Sequence, residues 1–195
     1  MFGASTGAGA ATILHGGLDA DTAIFAGNRA DYVVDTHQGY LVVTPTGQPA
    51  QHAVLVNVES VQFADTTVVV ANGDALATIA GLYQSILGRQ ADYIGMDYWG
   101  SLQKAGASLG QVAVAMIGTT EAQGQLGGVF TGNAAHDIDL LYQAVYDRHA
   151  DAGGLAFWTD SMAHGVSLDQ VAQAMLTQAE AQQHKLGALQ WDFLV

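Results

Sequence analysis

One stretch of this chain occurs twice, at a constant offset. Tyr83-Gln84 returns as Tyr142-Gln143, and Arg89, Asp92, Gly95 and Trp99 return as Arg148, Asp151, Gly154 and Trp158. Gly106, Ser108, Leu109, Gln111, Val112, Ala113, Met116 and Glu121 return as Gly165, Ser167, Leu168, Gln170, Val171, Ala172, Met175 and Glu180. The spacing is 59 residues throughout (142 − 83 = 59), so nothing has been inserted or deleted inside the unit. A fixed period implies one supersecondary unit used twice, with the two copies packed on each other.

Each copy reads as three helices. Leu76, Ile79, Leu82, Tyr83, Ile86 and Leu87 fall at three- and four-residue spacing behind the turn Asn72-Gly73-Asp74, which is an apolar stripe on one helix face. Gly88 suits the left-handed residue that ends such a helix. Asp92 caps a second helix carrying Met96, Trp99 and Leu102, which stops at Gly106. Ser108-Leu109-Gly110-Gln111 and Ser167-Leu168-Asp169-Gln170 both have the form of a capping box and open the third helix. Both prolines, Pro45 and Pro49, lie upstream, so nothing breaks these helices.

Arg89 with Asp92, and Arg148 with Asp151, invite two readings. They line a polar pocket, or each Asp caps a helix while each Arg hydrogen-bonds the adjoining loop. The second is preferred, because Asp is a favoured cap and the repeat explains the duplication. Trp99 and Trp158 could stack a sugar or a base. Their phase with the apolar stripes favours core anchors instead.

The first copy, "LYQSILGRQADYIGMDYWGSLQKAGASLGQVAVAMIGTTEAQ", resembles the bacterial domain of unknown function DUF4214. That pattern runs Leu-Tyr, Gly-Arg-x-x-Asp-x-x-Gly, Tyr-Trp, Gly-x-Ser-Leu and a closing Glu. The second copy departs mildly, with Asp147 at the position of Gly88 and Phe157 at that of Tyr98. The resemblance covers about residues 75–185. It implies an all-helical module, distantly similar to phycobilisome linker domains and common in large secreted and surface-layer bacterial proteins. It implies no catalytic residues.

The first seventy residues have a different period. Short β-branched and aromatic runs, such as Tyr32-Val33-Val34, Tyr40-Leu41-Val42-Val43 and Val54-Leu55-Val56, are punctuated by Gly, Asn, Asp and Pro. The expected fold class is therefore α+β. It comprises a flexible Gly/Ala arm (1–11), a small antiparallel β domain or β-roll cap (12–72), the helical tandem repeat (73–186) and a C-terminal tail (187–195). Phe25, Gly27, Asn28, Arg29 and Tyr32, followed by Asn57, Val58, Glu59, Phe63 and Asp65, resemble the β segment that follows calcium-binding nonapeptide repeats in bacterial RTX-type proteins. The nonapeptide itself is absent. His15-Gly16-Gly17-Leu18-Asp19-Ala20-Asp21 lacks its third Gly, so Asp19 and Asp21 are calcium candidates that an ordinary Asx-rich turn explains better.

Composition removes several functions. A net charge of −13, from five Lys and Arg against eighteen Asp and Glu, opposes binding to nucleic acid and to anionic membranes. There is no Cys, which excludes disulfides, thiol catalysis and thiolate metal sites. No apolar run is long enough to span a membrane, and the N-terminus lacks the basic and apolar regions of a secretory signal. The seven His residues show no helical metal spacing. There is no nucleophile elbow, no phosphate loop and no carboxylate pair singled out by spacing.

The last four residues, Asp192-Phe193-Leu194-Val195, resemble the terminal motif of some type I secretion substrates. With the missing N-terminal signal, the missing Cys and the RTX-like segment, they imply export by type I machinery from a Gram-negative cytoplasm to the outside. The expectation is a secreted or cell-surface structural or interaction protein, not an enzyme. It would be a surface-layer, matrix, filament or adhesin component whose partners are copies of itself or cell-surface components. A calcium-dependent carbohydrate-binding module and an accessory domain of a secreted hydrolase are the alternatives.

Overall fold

The computed structural model describes residues 2–3, 12–16, 20–37, 40–56, 58–70 and 74–181. Asp19 and the whole tail, Asp192, Phe193, Leu194 and Val195 included, lie outside them. The described chain is α+β and forms two compact units. One is drawn from residues 1–76 and 91–101, the other from 77–90 and 102–189. This division does not follow a boundary near residue 72, because 91–101, from the first helical copy, belongs with the β structure.

The β unit contains β1 (Phe2–Gly3), β2 (Thr12–His15), β3 (Thr22–Ile24), β4 (Tyr32–Thr36), β5 (Tyr40–Pro45), β6 (Ala53–Val56), β7 (Ser60–Gln62) and β8 (Thr67–Val69). They form two four-stranded sheets, ordered β1-β3-β7-β8 and β2-β6-β5-β4. The sheets are mixed rather than antiparallel. β2 pairs with β6, β3 with β7 and β1 with β3 in parallel, while β4·β5, β5·β6 and β7·β8 are antiparallel. The chain passes from β2 in one sheet to β3 in the other, and later from β6 to β7 in the same sense. Parallel neighbours need such a crossover between them, so this course is that of a roll. The hairpin β4–β5 and the strand β8 flank it. Phe2–Gly3, expected in a flexible arm, pairs with Ala23 and Ile24.

β6 reads as an unbroken apolar run because all four of its residues are buried, unlike the alternating pattern of a strand with one wet face. Between the sheets lie Leu41, Val43, Leu55, Val61 and an aromatic trio. The rings of Phe25, Tyr32 and Phe63 have centroids 5.3–5.7 Å apart, a spacing at which ring quadrupoles attract. The N–H of Arg29 donates to Asp65 Oδ1 at 2.7 Å, and that of Asp21 to Glu59 Oε2 at 2.7 Å. The two separated halves of the Phe-x-Gly-Asn-Arg pattern therefore meet in space.

The helices are α1 (Asp74–Leu87), α2 (Tyr93–Lys104), α3 (Leu109–Ile117), α4 (Thr120–Leu126), α5 (Ala134–Tyr146), α6 (Ala152–Ala163) and α7 (Leu168–Leu176). Shifting α2 and α3 by the repeat offset reproduces the bounds of α6 and α7. Gly88 ends α1 at φ +65°, and its counterpart Asp147 ends α5 at φ 55°. The left-handed cap is thus kept where the glycine is not, a conformation Asp tolerates better than most residues. α3 packs against α7, and α5 against both α6 and α7. Ile138, Leu141, Met175, Met116 and Ile117 are fully enclosed. Asp137 is also buried, but its carboxylate accepts hydrogen bonds from Thr131 N, Thr131 Oγ and Gly132 N. Those bonds offset the cost of enclosing a charge.

Candidate functional site

The polar residues shared by the two copies turn inward on each other. Arg89 donates to both carboxylate oxygens of Glu121 and to Gln90 O, with its guanidinium 5.0 Å from the Tyr83 ring centre. Arg148 does the same with Glu180 (2.7 and 3.1 Å), His149 O (3.1 Å) and the Tyr142 ring (5.0 Å). Such bidentate pairs fix geometry as well as charge. Asp92 Oδ1 accepts from Gly95 N at 2.7 Å, and Asp151 Oδ1 from Gly154 N at 2.8 Å. The Gly154 N–H, reinforced by Arg148, holds the Asp151 carboxyl below its usual range. These four residues cap helices and clamp loops.

The two tryptophans part company. Trp99 is 8 % exposed, whereas α6 buries none of its residues fully and Trp158 stays half-buried beside the exposed Phe157. Trp158 is therefore not the core anchor its phase implies. In α2 the neighbouring positions Met96 and Gly100 are buried as well, and residues up to Ser101 pack within the β unit. α6 packs on α5 instead, and its equivalents Leu155 and Thr159 remain partly open.

The described histidines are held locally. His52, His136 and His164 each have a ring nitrogen near a backbone carbonyl, and His149 Nδ1 lies 2.9 Å from Asp139 Oδ2. His37 stacks on Tyr40 at 4.3 Å, with Asp97 3.2 Å from Nδ1 and Asp35 3.3 Å from Nε2. Burial, and then Asp97, push the Tyr40 phenol above its usual value. Among the described residues no group of three His, Asp or Glu side chains is placed to hold a metal. Asp21 immediately precedes β3, its backbone tied to Glu59 and Ser60.

A surface that could receive a ligand lies along the meeting of α3 and α7. An ideal Cβ on Gly110 would stand 2.1 Å from Asp169 O and 2.6 Å from Gln173 N. The two helices therefore approach to backbone contact, and only glycine fits. Asp169 is the repeat counterpart of Gly110, so the copies meet about a local pseudo-twofold axis. Beside this contact runs an open groove of about 650 Å³, lined from one copy by Gly106, Ser108 and Gln111 and from the other mainly by Val166, Asp169, Gln170, Gln173 and Thr177. Sequence reasoning placed Gln111 and Gln170 in capping boxes but missed Asp169, Gln173 and Thr177. The available signal was a break in the repeat. These three polar residues, four apart on one helix face, replace Gly110, Val114 and Gly118.

Among the described residues no helix is long and apolar enough to cross a membrane. No curated protein matches the chain. The family model for "Domain of unknown function (DUF4214)" matches residues 59–126 and again 132–185. The first match starts upstream of residue 75, so it takes in β7 and β8 as well as the helices. With two adjacent matches spanning more than half its length, in the register of its own internal repeat, this chain belongs to the DUF4214 family.

Proposed function

We propose that the chain is a secreted bacterial structural or interaction protein of the cell surface or its surroundings, and not an enzyme. The observation that carries this reading is the internal use of the repeated polar residues. Arg89 with Glu121, Arg148 with Glu180, and the caps Asp92 and Asp151 are engaged in holding helices and loops. A catalytic constellation would leave such groups facing a cavity. The acidic charge and the terminal Asp192-Phe193-Leu194-Val195 support export through type I machinery, with the RTX-like segment folded ahead of the repeat. Self-association is favoured by the outer strands β4 and β8, on which Val33 is 58 % and Val69 77 % exposed. Such edges can pair between copies. Were calcium to take part, Asp19 and Asp21 would be its candidate ligands.

The mass of the full chain, measured by light scattering in millimolar calcium and then in chelator, tests this. Large assemblies that dissolve on chelation support a calcium-bridged subunit. A monomer under both conditions rejects self-assembly. A second reading, as a carbohydrate-binding surface module, is favoured by the carboxamide and hydroxyl groups of Gln111, Gln170, Gln173, Ser108 and Thr177 along the α3–α7 groove.

A further inference from the structure

Three glutamines of the groove have fixed orientations. Gln111 Oε1 accepts from Ser108 N at 3.0 Å, and Gln170 Oε1 accepts from Ser167 N at 3.0 Å. Gln173 Oε1 accepts from Gly110 N at 2.9 Å. A backbone N–H can bond only the oxygen of a carboxamide, so none of the three can flip without losing a bond. Each NH₂ is thereby left with two donors that have no partner among the described residues. Beside them stands one charged group, Asp169, whose Oδ1 accepts from Ser167 Oγ at 2.6 Å.

We propose that the α3–α7 groove is a binding site for a neutral oligosaccharide. This deepens the carbohydrate reading above and rests on the view of the chain as a surface interaction module. The ligand class follows from the lining. Anionic ligands are disfavoured because the groove holds no cation and one carboxylate. Ammonium and guanidinium groups carry donors only, so they cannot accept from the three carboxamide NH₂ groups. A sugar hydroxyl both accepts and donates, so a run of hydroxyls can take the amide donors and return a proton to Asp169. An extended peptide offers similar backbone groups but needs apolar pockets for its side chains. Here only Val166 and Ala174 supply apolar side chains. The donors are preorganised by the capping bonds, which lowers the entropy cost of using them.

The test titrates the full chain calorimetrically with neutral hexasaccharides of glucose, mannose and N-acetylglucosamine, with a uronic acid hexamer and an uncharged extended peptide alongside. The decisive variant is Gln111→Glu/Gln170→Glu/Gln173→Glu. Each Glu keeps the oxygen that accepts the backbone N–H and removes the NH₂. Glu at the third helical position is itself a good capping-box residue at 111 and 170, and Gln173→Glu alone, which faces Asp169 four residues away, is melted beside the triple variant as the control for folding. The variants are compared with the parent only under conditions where circular dichroism shows each of them folded. At least one neutral hexasaccharide should bind the parent and lose about tenfold or more in affinity to the variant, since the variant lacks the three NH₂ donors. Three results overturn the proposal: no neutral sugar binds, the variant binds as well as the parent, or the uronic acid or peptide is preferred. Light scattering reports assembly separately, so an empty groove on an assembling subunit would remove this site and leave the structural reading standing.

Discussion

Replacing Gly110 with Ala sets local propensity against tertiary contact, and the two predict opposite signs. Within a helix, Gly to Ala is favourable by about 0.5–1 kcal/mol, because Ala loses less backbone entropy. At Gly110, however, the new methyl would lie 2.1 Å from Asp169 O and 2.6 Å from Gln173 N, where ordinary contact begins at 3.4 Å. Both obstacles are backbone atoms of the facing chain, so no rotamer change relieves the clash. α3 and α7 must part by more than an ångström, which also weakens the Gly110 N to Gln173 Oε1 bond. Overpacking of this kind costs ~1–3 kcal/mol, and a rigid obstacle places it at the upper end. The net expectation is a loss of about 2 kcal/mol, which lowers the melting temperature by ~4–8 °C in a chain of this size. Gly124→Ala in α4 is the control, because an added Cβ there meets nothing within 4 Å. Far-UV circular dichroism melts of both variants decide the matter. If Gly110→Ala melts at or above Gly124→Ala, the close approach of the two helices is refuted.

Two pH responses follow from Tyr146 and Asp139 of the helical unit. Burial raises the Tyr146 phenol to about 12, helped by Glu180 and Tyr142 and opposed by Arg148. The fold therefore favours the neutral form, and this contribution is whole below about pH 10 and lost as pH rises toward 12. It amounts to on the order of 2–3 kcal/mol, and Tyr146→Phe should remove the alkaline fall in melting temperature. A Tyr146→Phe protein with the same alkaline fall would assign that fall to another group. Asp139 responds at the other end of the scale. Burial acts to raise its carboxyl, but the Ala150 N–H, His149 and Gln143 outweigh it and hold the group below its usual value. Its contribution is present above the ordinary carboxylate range and disappears as pH falls through the lowered value. Asp139→Asn should flatten that acid limb, and an unchanged profile would show that the bonds to Ala150 and His149 carry no linkage.

Much of the helical architecture was legible because local chemistry dictates it. The repeat offset fixed which helices are equivalent, the apolar stripes fixed their lengths, and Asp92, Asp151 and the Ser-x-x-Gln boxes fixed their starts. Each of these devices acts within one or two turns. The fate of the tryptophans was not legible. Trp99 and Trp158 occupy the same phase of equivalent helices, yet only Trp99 is buried, because residues of α2 up to Ser101 pack in the β unit while α6 packs on α5. The groove escaped notice for a related reason. Gln173 and Asp169 carry no motif, and they gain meaning only when α7 lies across Gly110.

The sequence by itself determined the α+β class, the duplicated three-helix unit, the helix caps and the family. It did so because periodicity and capping are short-range properties written into neighbouring side chains. Tertiary structure alone decided three other matters. The parallel pairing of β2 with β6 joins residues about forty apart, and no local pattern specifies the partner of a short strand. The glutamate partners of Arg89 and Arg148, 32 positions away, completed the loop clamps that the local pattern had suggested. The backbone contact at Gly110 brought three carboxamides, each oriented by its own hydrogen bond, along one groove. All three depend on contacts between segments far apart in the chain, whose geometry exists only once the chain has closed on itself.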